Sequence, residues 1–168
     1  VHVFSSPLLS ITHLPFATLE KSTSTHDSCE RSLSFSLVDD VKGALTQIRG
    51  EDATGVRRRI FWLNNYAELE LENIELVGGH TTSSGGAIFV NERATLTLKA
   101  CLLRDNRAGA AGTTYSGGAV FNFKGTMHVF STVFVNNTAY YSGGAIYTNA
   151  GTLEIVDSTV TGNQATQD

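Results

Sequence analysis

The residue pair best suited to acid–base chemistry is His128 with Glu154. The two residues hold the same position in consecutive copies of an internal repeat, so a fold that stacks the copies would place one directly above the other. An imidazole next to a carboxylate can move protons as a general acid–base pair. A solvated pair is the alternative, because two isolated ionisable groups do not make a site. We therefore name His128 and Glu154 as catalytic candidates and favour a non-catalytic protein over an enzyme.

The most concentrated run of carboxylates is formed by Glu68, Glu70 and Glu72, which alternate with apolar residues. Hydrolysis of a glycosidic bond needs two carboxylates that face one substrate, and this run is the closest approach to that arrangement. In the next copy of the repeat, Thr97 and Lys99 replace the second and third carboxylates, so Glu72 and Lys99 are expected to pair across copies. A solvated strand surface is the favoured interpretation, and Glu70 and Thr97 are candidates for ligand binding.

Composition excludes several classes of protein. The net charge is −4 and the one basic cluster is Arg57-Arg58-Arg59, so nucleic acid is not a predicted partner. No apolar run approaches the roughly 20 residues of a membrane-spanning helix, and no such segment is predicted. The spacing of His and Cys matches no metal site, so neither a metal nor a cofactor is predicted. Cys101 lies inside the repeat and is expected to be a buried free thiol, whereas Cys29 lies outside it.

The chain is repetitive from residue 67 onwards. Four segments superimpose without gaps and begin at residues 67, 94, 125 and 151, which gives spacings of 27, 31 and 26 residues. Each segment alternates apolar and polar residues, and a short break and a second apolar patch follow. The second spacing is longer because residues 109–115 are inserted at one place, as expected for a loop that projects from a repeating scaffold. Tyr115 closes this insertion and is a further candidate for binding.

Two small motifs recur with the repeat. Ser-Gly-Gly-Ala occurs three times and contributes the glycine pairs Gly85-Gly86, Gly117-Gly118 and Gly143-Gly144. Asparagine recurs at one turn position in each copy, as Asn106, Asn137 and Asn163. We interpret both motifs as structural, since glycine allows close packing and stacked amides can hydrogen-bond from copy to copy. A ligand-binding asparagine row and a phosphate-binding glycine loop are the alternatives; the latter would need a helix that the sequence does not indicate.

These periods predict an all-β fold, a right-handed, three-sided parallel β-helix with coils of about 26 residues. Two interior rows are expected, one through Leu69, Leu96, Met127 and Leu153, and one through Leu76, Leu103, Phe134 and Val160. The predicted organisation is a cap or irregular lead-in at residues 1–32, degenerate first coils at 33–66 and regular coils at 67–168. In the degenerate part, residues 41–48 are aligned with the start of the segment at 67, and residues 60–63 with the strand that follows the glycine pairs.

The repeat resembles the passenger repeats of chlamydial polymorphic outer-membrane proteins. Those repeats pair a Gly-Gly-Ala-Ile motif with a Phe-x-x-Asn motif, which is present here as Phe134-Val135-Asn136-Asn137 and, with an aliphatic first residue, at 103–106 and 160–163. Similar repeats occur in large surface proteins with pectin-lyase-like β-helices. The resemblance covers about residues 67–165. Family members that end in a membrane β-barrel anchor themselves by it; this sequence ends before one, and we expect its end to fall inside a longer array.

The resemblance implies an extracellular or cell-surface location and a non-catalytic role as an adhesion module or structural stalk. The expected partner is a protein or glycan on the surface of a host or neighbouring cell. The alternative is a carbohydrate-active β-helix, either part of a polysaccharide lyase or epimerase or a glycan-binding module. Asn136-Asn137-Thr138 is an N-glycosylation sequon, so Asn136 would be modified if a eukaryote secretes the protein.

Overall fold

A computed structural model of the chain describes residues 32–36, 45–51 and 55–166. These residues form a parallel β-solenoid of about four turns whose coils are about 27 residues apart, without a helix. In consequence, the described part of the chain has no helix that could cross a membrane. The coil spacing agrees with the predicted repeat, since alternating short apolar runs and frequent Gly, Thr and Asn favour strands joined by tight turns.

The strands follow one another coil by coil. The first coil contains β1 (Ser32–Ser36), β2 (Thr46–Arg49) and β3 (Phe61–Leu63). The second contains β4 (Glu68–Glu72), β5 (Ile74–Val77), β6 (His80–Thr81) and β7 (Ile88–Val90). The third contains β8 (Thr95–Lys99), β9 (Leu102–Arg104), β10 (Arg107–Ala108) and β11 (Val120–Phe123). The fourth contains β12 (Thr126–Phe130), β13 (Val133–Val135), β14 (Thr138–Ala139) and β15 (Ile146–Asn149), and β16 (Thr152–Val156), β17 (Thr159–Thr161) and β18 (Gln164–Ala165) follow it.

Equivalent strands of successive coils pair in parallel and form four sheets. We call them the long-strand sheet (β1, β4, β8, β12, β16), the second sheet (β2, β5, β9, β13, β17), the short sheet (β6, β10, β14, β18) and the aromatic sheet (β3, β7, β11, β15). Three of them are the predicted sides of the coil. The short sheet was not predicted, because strands of two residues are too short to show an alternation of apolar and polar residues.

The observed register confirms both predicted interior rows. On the long-strand sheet, Leu96 pairs with Leu69 on one side and with Met127 on the other. On the second sheet, Leu103 pairs with Leu76 and with Phe134. Side chains in the middle of both rows are fully buried, whereas the last members, Leu153 and Val160, are 36% and 52% exposed. The core is thus a column of similar apolar side chains, and burial of these side chains decreases at the last described coil.

The register of the first coil differs in part from the prediction. Strand β3 pairs with β7, which confirms that residues 60–63 match the strand after the glycines. Strand β2, however, pairs with β5 of the second sheet, so the alignment of residues 41–48 with the start of the segment at 67 was wrong. Strand β1 takes that place instead. The error arose because residues 37–45 separate β1 from β2, whereas a single residue separates β4 from β5. The predicted domain boundaries stay a prediction, and nearly all of the 1–32 segment lies outside the described residues.

Asparagine side chains form a hydrogen-bonded row inside the turn after the second sheet. The Nδ2 atom of Asn106 donates to Oδ1 of Asn137 at 2.9 Å, and Nδ2 of Asn137 donates to Oδ1 of Asn163 at 2.8 Å. Each amide also donates to a backbone carbonyl of the preceding coil, at Leu76, Leu103 and Phe134. The asparagines themselves are not left-handed. The left-handed residues are those one position earlier, Asp105, Asn136 and Gly162, and Gly78 before the equivalent Gly79.

The two glycines of each pair serve different purposes, as the pair Gly117-Gly118 shows. Gly117 has a φ of +71°, which residues with a side chain rarely adopt. Gly118 is needed for space, because a Cβ atom there would lie 1.9 Å from the carbonyl oxygen of Gly144 in the next coil. Backbones of adjacent coils therefore meet directly at the second glycine, and the motif is a packing device in the structure.

Gly118→Ala should lower the free energy of unfolding by at least about 3 kcal/mol, because the added methyl group has only rigid backbone to displace. The matched control is Gly112→Ala in the inserted loop, where φ is +80° but no atom lies within 4 Å of the added carbon. The free energy of unfolding of that variant should fall by only about 1–2 kcal/mol, the cost of holding an alanine in a left-handed conformation. Urea unfolding of the full chain measures both values, and equal losses would contradict the steric role.

Asn137→Ala should lower the free energy of unfolding by about 3–5 kcal/mol, since it removes the acceptor of the backbone N–H and of one Nδ2 hydrogen of Asn106 and the donor to the carbonyl of Leu103, all in the interior. Asn163→Ala should cost less, because the last turn is open to water that can replace the lost partner. Exposed Asn65→Ala should change stability by less than about 0.5 kcal/mol. Chemical denaturation ranks the three variants, and a loss at Asn137 no larger than at Asn65 would contradict the role of the row.

Candidate functional site

The acid–base candidates lie in one row on the outer face of the long-strand sheet. Glu70 pairs in register with Thr97, Thr97 with His128, and His128 with Glu154. The Nδ1 atom of His128 lies 2.8 Å from Oε2 of Glu154, and the two side chains are 35% and 51% exposed. Sequence reasoning placed this pair correctly in space. Its catalytic role stays a prediction, as does a binding role for Glu70 and Thr97.

Lys99 forms an ion pair on the same face. Its Nζ atom lies 2.7 Å from Oε1 of Glu70, so the expected pairing with Glu72, its register partner, was wrong. The long lysine side chain reaches diagonally to the neighbouring carboxylate instead. The hydrogen bond with Glu70 raises the pKa of Lys99.

On the second sheet, the guanidinium of Arg104 bridges the carboxylates of Glu75 and Asp105. These contacts raise the pKa of Arg104, Asp105 being the stronger partner. The cations Lys99 and Arg104 are therefore each paired locally with one or two carboxylates. Such pairs solubilise a strand surface and contribute little to stability.

A column of aromatic side chains on the outer face of the aromatic sheet was missed by sequence reasoning. Trp62 stacks on Phe89, Phe89 on Phe121, and Phe121 on Tyr147, with ring centroids 4.3, 5.2 and 5.5 Å apart and interplanar angles of 6°, 21° and 14°. Their strand neighbours point inward, since Phe61 and Leu63 on either side of Trp62 are buried. The signal was present: an aromatic residue occupies the third position of Ala-Ile-Phe, Ala-Val-Phe and Ala-Ile-Tyr.

The stacking decides what this column can bind. Each inner ring presents both faces to its neighbours, so its edge is the part that faces solvent. A flat platform for a sugar or a base needs an exposed ring face. The aromatic column is therefore chiefly a device that holds adjacent coils together, worth about 0.5–1.5 kcal/mol for each stacked pair beyond the area it buries.

Arg59 lies beside the first two rings of this column. Its guanidinium lies 4.7 Å from the ring centroid of Trp62 and 5.4 Å from that of Phe89. The same group donates from Nη2 to the carbonyl of Ser84 at 2.6 Å and from Nε to the carbonyl of Gly85 at 2.9 Å. It also donates to the hydroxyl of Ser83 at 2.5 Å.

Arg59 binds the carbonyls of Ser84 and Gly85, whose equivalents in the next coil accept hydrogen bonds from backbone amides of the preceding coil. In the next coil, the equivalent carbonyls of Ser116 and Gly117 accept from the amides of Gly85 and Gly86. In the first coil, Arg58 and Arg59 hold the positions of the glycine pair, and the amide of Arg58 donates to the carbonyl of Gly50 instead. One guanidinium replaces both donors, which its planar arrangement of N–H groups allows. Burial lowers the pKa of Arg59 to about 10, which still leaves it charged at neutral pH.

The inserted loop at residues 109–115 leaves the solenoid between β10 and β11, as predicted. Ala110, Ala111 and Gly112 are exposed at its tip. Tyr115 is 39% exposed at its end, where its carbonyl accepts from the amide of Tyr141 in the next coil. The loop thus projects outward and rejoins the stack. Tyr115 lies in a different part of the coil from the row that contains Glu70 and Thr97.

The remaining candidates are isolated. Cys101 is buried, and its Sγ lies 3.3 Å from the carbonyls of Leu71 and Lys99; burial raises the pKa of the thiol. Cys29 lies outside the described residues. Asn136 is exposed in a left-handed turn, and its glycosylation stays a prediction. Among residues 45–51 and 55–166, no three His, Cys, Asp or Glu side chains group closely enough to hold a metal ion.

Arg59→Lys should lower the free energy of unfolding by about 1.5–3 kcal/mol. The single ammonium group of lysine cannot donate to both carbonyls while it also contacts the rings of Trp62 and Phe89. It should also change the fluorescence of Trp62, the one tryptophan of the chain. Arg107→Lys, at an exposed position, is the matched control and should stay within about 0.5 kcal/mol of the wild type. Equal stability of the two variants would contradict the capping role of Arg59.

Residues 131–149 match the model of the Chlamydia polymorphic membrane protein (Chlamydia_PMP) repeat. The match runs from the turn before β13 to the end of β15 and includes Phe134, Asn137 and the Gly143-Gly144 pair. No curated protein and no solved structure gives a significant match to the chain. The chain is thus a parallel β-helix that carries a repeat like that of chlamydial polymorphic membrane proteins, and the repeat points to a surface-associated β-helix module.

Proposed function

We propose that the chain is a non-catalytic module of the cell surface or extracellular space, acting as an adhesive or structural stalk. The observation that carries this proposal is how the polar and aromatic side chains are used. The asparagine row, the aromatic column and Arg59 all bind the next coil, and Lys99 and His128 of the long-strand sheet contact carboxylates of neighbouring coils. These contacts make a stiff rod with exposed outer faces.

The proposed location rests on the same repeat. Chlamydial polymorphic membrane proteins carry this repeat, which suggests a cell-surface location for this chain. The inserted loop at residues 109–115 suits adhesion, because a projecting loop on a rigid scaffold can change without disturbing the stack. A protein or glycan on a neighbouring cell is the proposed partner.

A carbohydrate-active enzyme is the second candidate, and the contact between His128 and Glu154 is the observation that favours it. A histidine next to a carboxylate could remove a proton from a uronate sugar. The two functions make different predictions for the full chain. A stalk binds without turnover, whereas an enzyme degrades a polysaccharide.

The test coats beads with the full chain and measures their adhesion to cell monolayers, alongside turnover of pectate, alginate and neutral polysaccharides. We expect adhesion without turnover. The double variant His128→Ala/Glu154→Gln should keep wild-type adhesion and lose at most about 1 kcal/mol of stability, the usual value of an exposed pair. Turnover that the double variant abolishes while it stays folded would replace the stalk with the enzyme, and failure of coated beads to adhere would reject the adhesive role.

A further inference from the structure

The described charges are divided between two sides of the solenoid. The long-strand and second sheets, with the turns that follow them, carry seven carboxylates: Glu68, Glu70, Glu72, Glu75, Asp105, Glu154 and Asp157. The cations of the same strands are Arg49, Lys99 and Arg104, so this side has a formal charge of −4. The short and aromatic sheets and the segments next to them carry Arg57, Arg58, Arg59, Arg93, Arg107 and Lys124 against Glu51 and Glu92, a formal charge of +4. A chain of modest net charge therefore has one positive side.

Arg107 is the most available cation on the positive side. It lies in β10 next to Ala108, which is fully buried, so the arginine side chain points outward and is exposed. Within the described residues, its guanidinium has no hydrogen bond or ion pair, unlike Arg59 and Arg104. His80 of β6 is its register partner in the preceding coil. Burial and the charges of Arg107 and Arg57 lower the pKa of His80, so the histidine is neutral at pH 7 and can accept or donate a hydrogen bond.

Two tyrosines lie around the backbone of Gly109, two residues along the chain from this arginine. A Cβ atom at Gly109 would lie 3.1 Å from Cβ of Tyr140 and 3.3 Å from Cβ of Tyr115. Tyr140 follows β14, and its amide donates to the carbonyl of Ala108 at 3.0 Å, which fixes it in the coil above Gly109. We call His80, Arg107, Tyr115 and Tyr140 the arginine–tyrosine cluster.

The row that begins at His80 and Arg107 continues along the axis with neutral polar side chains. Thr138 and then Gln164 hold the register position of Arg107 in the following coils. Successive positions are about 4.8 Å apart, close to the length of one sugar unit in an extended polysaccharide. The row thus offers a cation first, and then hydroxyl and amide groups at the spacing of neighbouring sugars.

We propose that the arginine–tyrosine cluster binds an acidic sugar unit of a surface polysaccharide. The guanidinium of Arg107 would hold the carboxylate or sulfate with two parallel hydrogen bonds, which its fork geometry favours. Tyr115 and Tyr140 supply apolar ring surface for the sugar and hydroxyl groups for its oxygens. Thr138 and Gln164 bind the hydroxyl groups of the next units. The inference rests on the proposed surface function and names the chemical class of its partner.

A polysaccharide fits these observations better than the other anionic polymers. Nucleic acid is bound through many phosphate contacts, which one unpaired arginine cannot supply. An acidic polypeptide would find the same cation, but its backbone would need an unpaired strand edge there, and β10, the strand that carries Arg107, is already paired with β6 and β14. The flat polar row suits a chain that displays hydroxyl groups along its length.

The test immobilises polygalacturonate, dextran sulfate, dextran and polyglutamate and measures binding of the full chain by surface plasmon resonance. Polygalacturonate carries only carboxylates and dextran sulfate only sulfates, so the two separate a carboxylate from a sulfate as the bound group. We expect binding to at least one of them and none to dextran. Arg107→Gln should weaken this binding about 10- to 100-fold, the loss expected for a charge-assisted contact. Tyr140→Leu should weaken it about 3- to 10-fold.

The matched control is Arg93→Gln, which removes the same charge from an exposed arginine that contacts Tyr66 instead. It should change binding less than about 3-fold. Equal weakening by Arg93→Gln and Arg107→Gln would overturn the proposal, because binding would then follow the general field of the positive side. Equal binding to dextran, tighter binding to polyglutamate, or no binding to either acidic polysaccharide would also overturn it. Circular dichroism confirms that each variant is folded. Bead adhesion and turnover decide the surface function separately, so failure of either proposal can be told from failure of the other.

Discussion

Backbone hydrogen bonds between coils place each residue directly over its equivalent in the next coil, about 4.8 Å away. A side chain in such a stack has a neighbour of its own kind above and below it. Leucine rows fill the interior, asparagine amides bind one another in a turn, and aromatic rings stack on the outer face. Each row is stable because every side chain packs against, or hydrogen-bonds to, the equivalent side chain in the next coil. The same constraint excludes side chains at Gly118, where two backbones meet.

The disadvantage of this arrangement is that the side chain at the end of each row lacks one neighbour, and its hydrogen-bonding groups or apolar surface are left without a partner. Arg59 shows one solution, because its guanidinium replaces two missing amides and lies beside the first two rings of the aromatic column. At the other end of the described coils, Leu153 and Val160 are partly exposed, and Oγ1 of Thr148 is buried without a hydrogen-bond partner within the described part of the chain. Within the described residues, the stack is therefore least satisfied at the last coil.

The outer faces are free to differ because the interior rows carry the fold. On the long-strand sheet, some polar side chains pair across coils, as Lys99 does with Glu70 and His128 does with Glu154. On the short sheet, Arg107 remains exposed, and Tyr115 and Tyr140 meet at Gly109 two residues further along the chain. A rigid stack can thus carry one side with an excess of carboxylates and one positive side without any change to its core.

The repeat itself was predictable, since alternating apolar residues, recurring Gly-Gly pairs and a recurring asparagine are local patterns that a single chain displays. They determined the strands, the interior rows and the row that contains His128 and Glu154. The register of β2 was not predictable, because an interval of nine residues in the first coil hides the short break that marks the other coils. Diagonal pairing of Lys99 with Glu70 was also missed, since side-chain reach depends on the actual geometry of adjacent strands.

Tyr115 and Tyr140 are 25 residues apart in sequence and meet at Gly109 because the coils stack. The sequence by itself therefore determined which residues repeat, and the tertiary structure decided which of them touch, because contacts between coils depend on the length of every turn that lies between them.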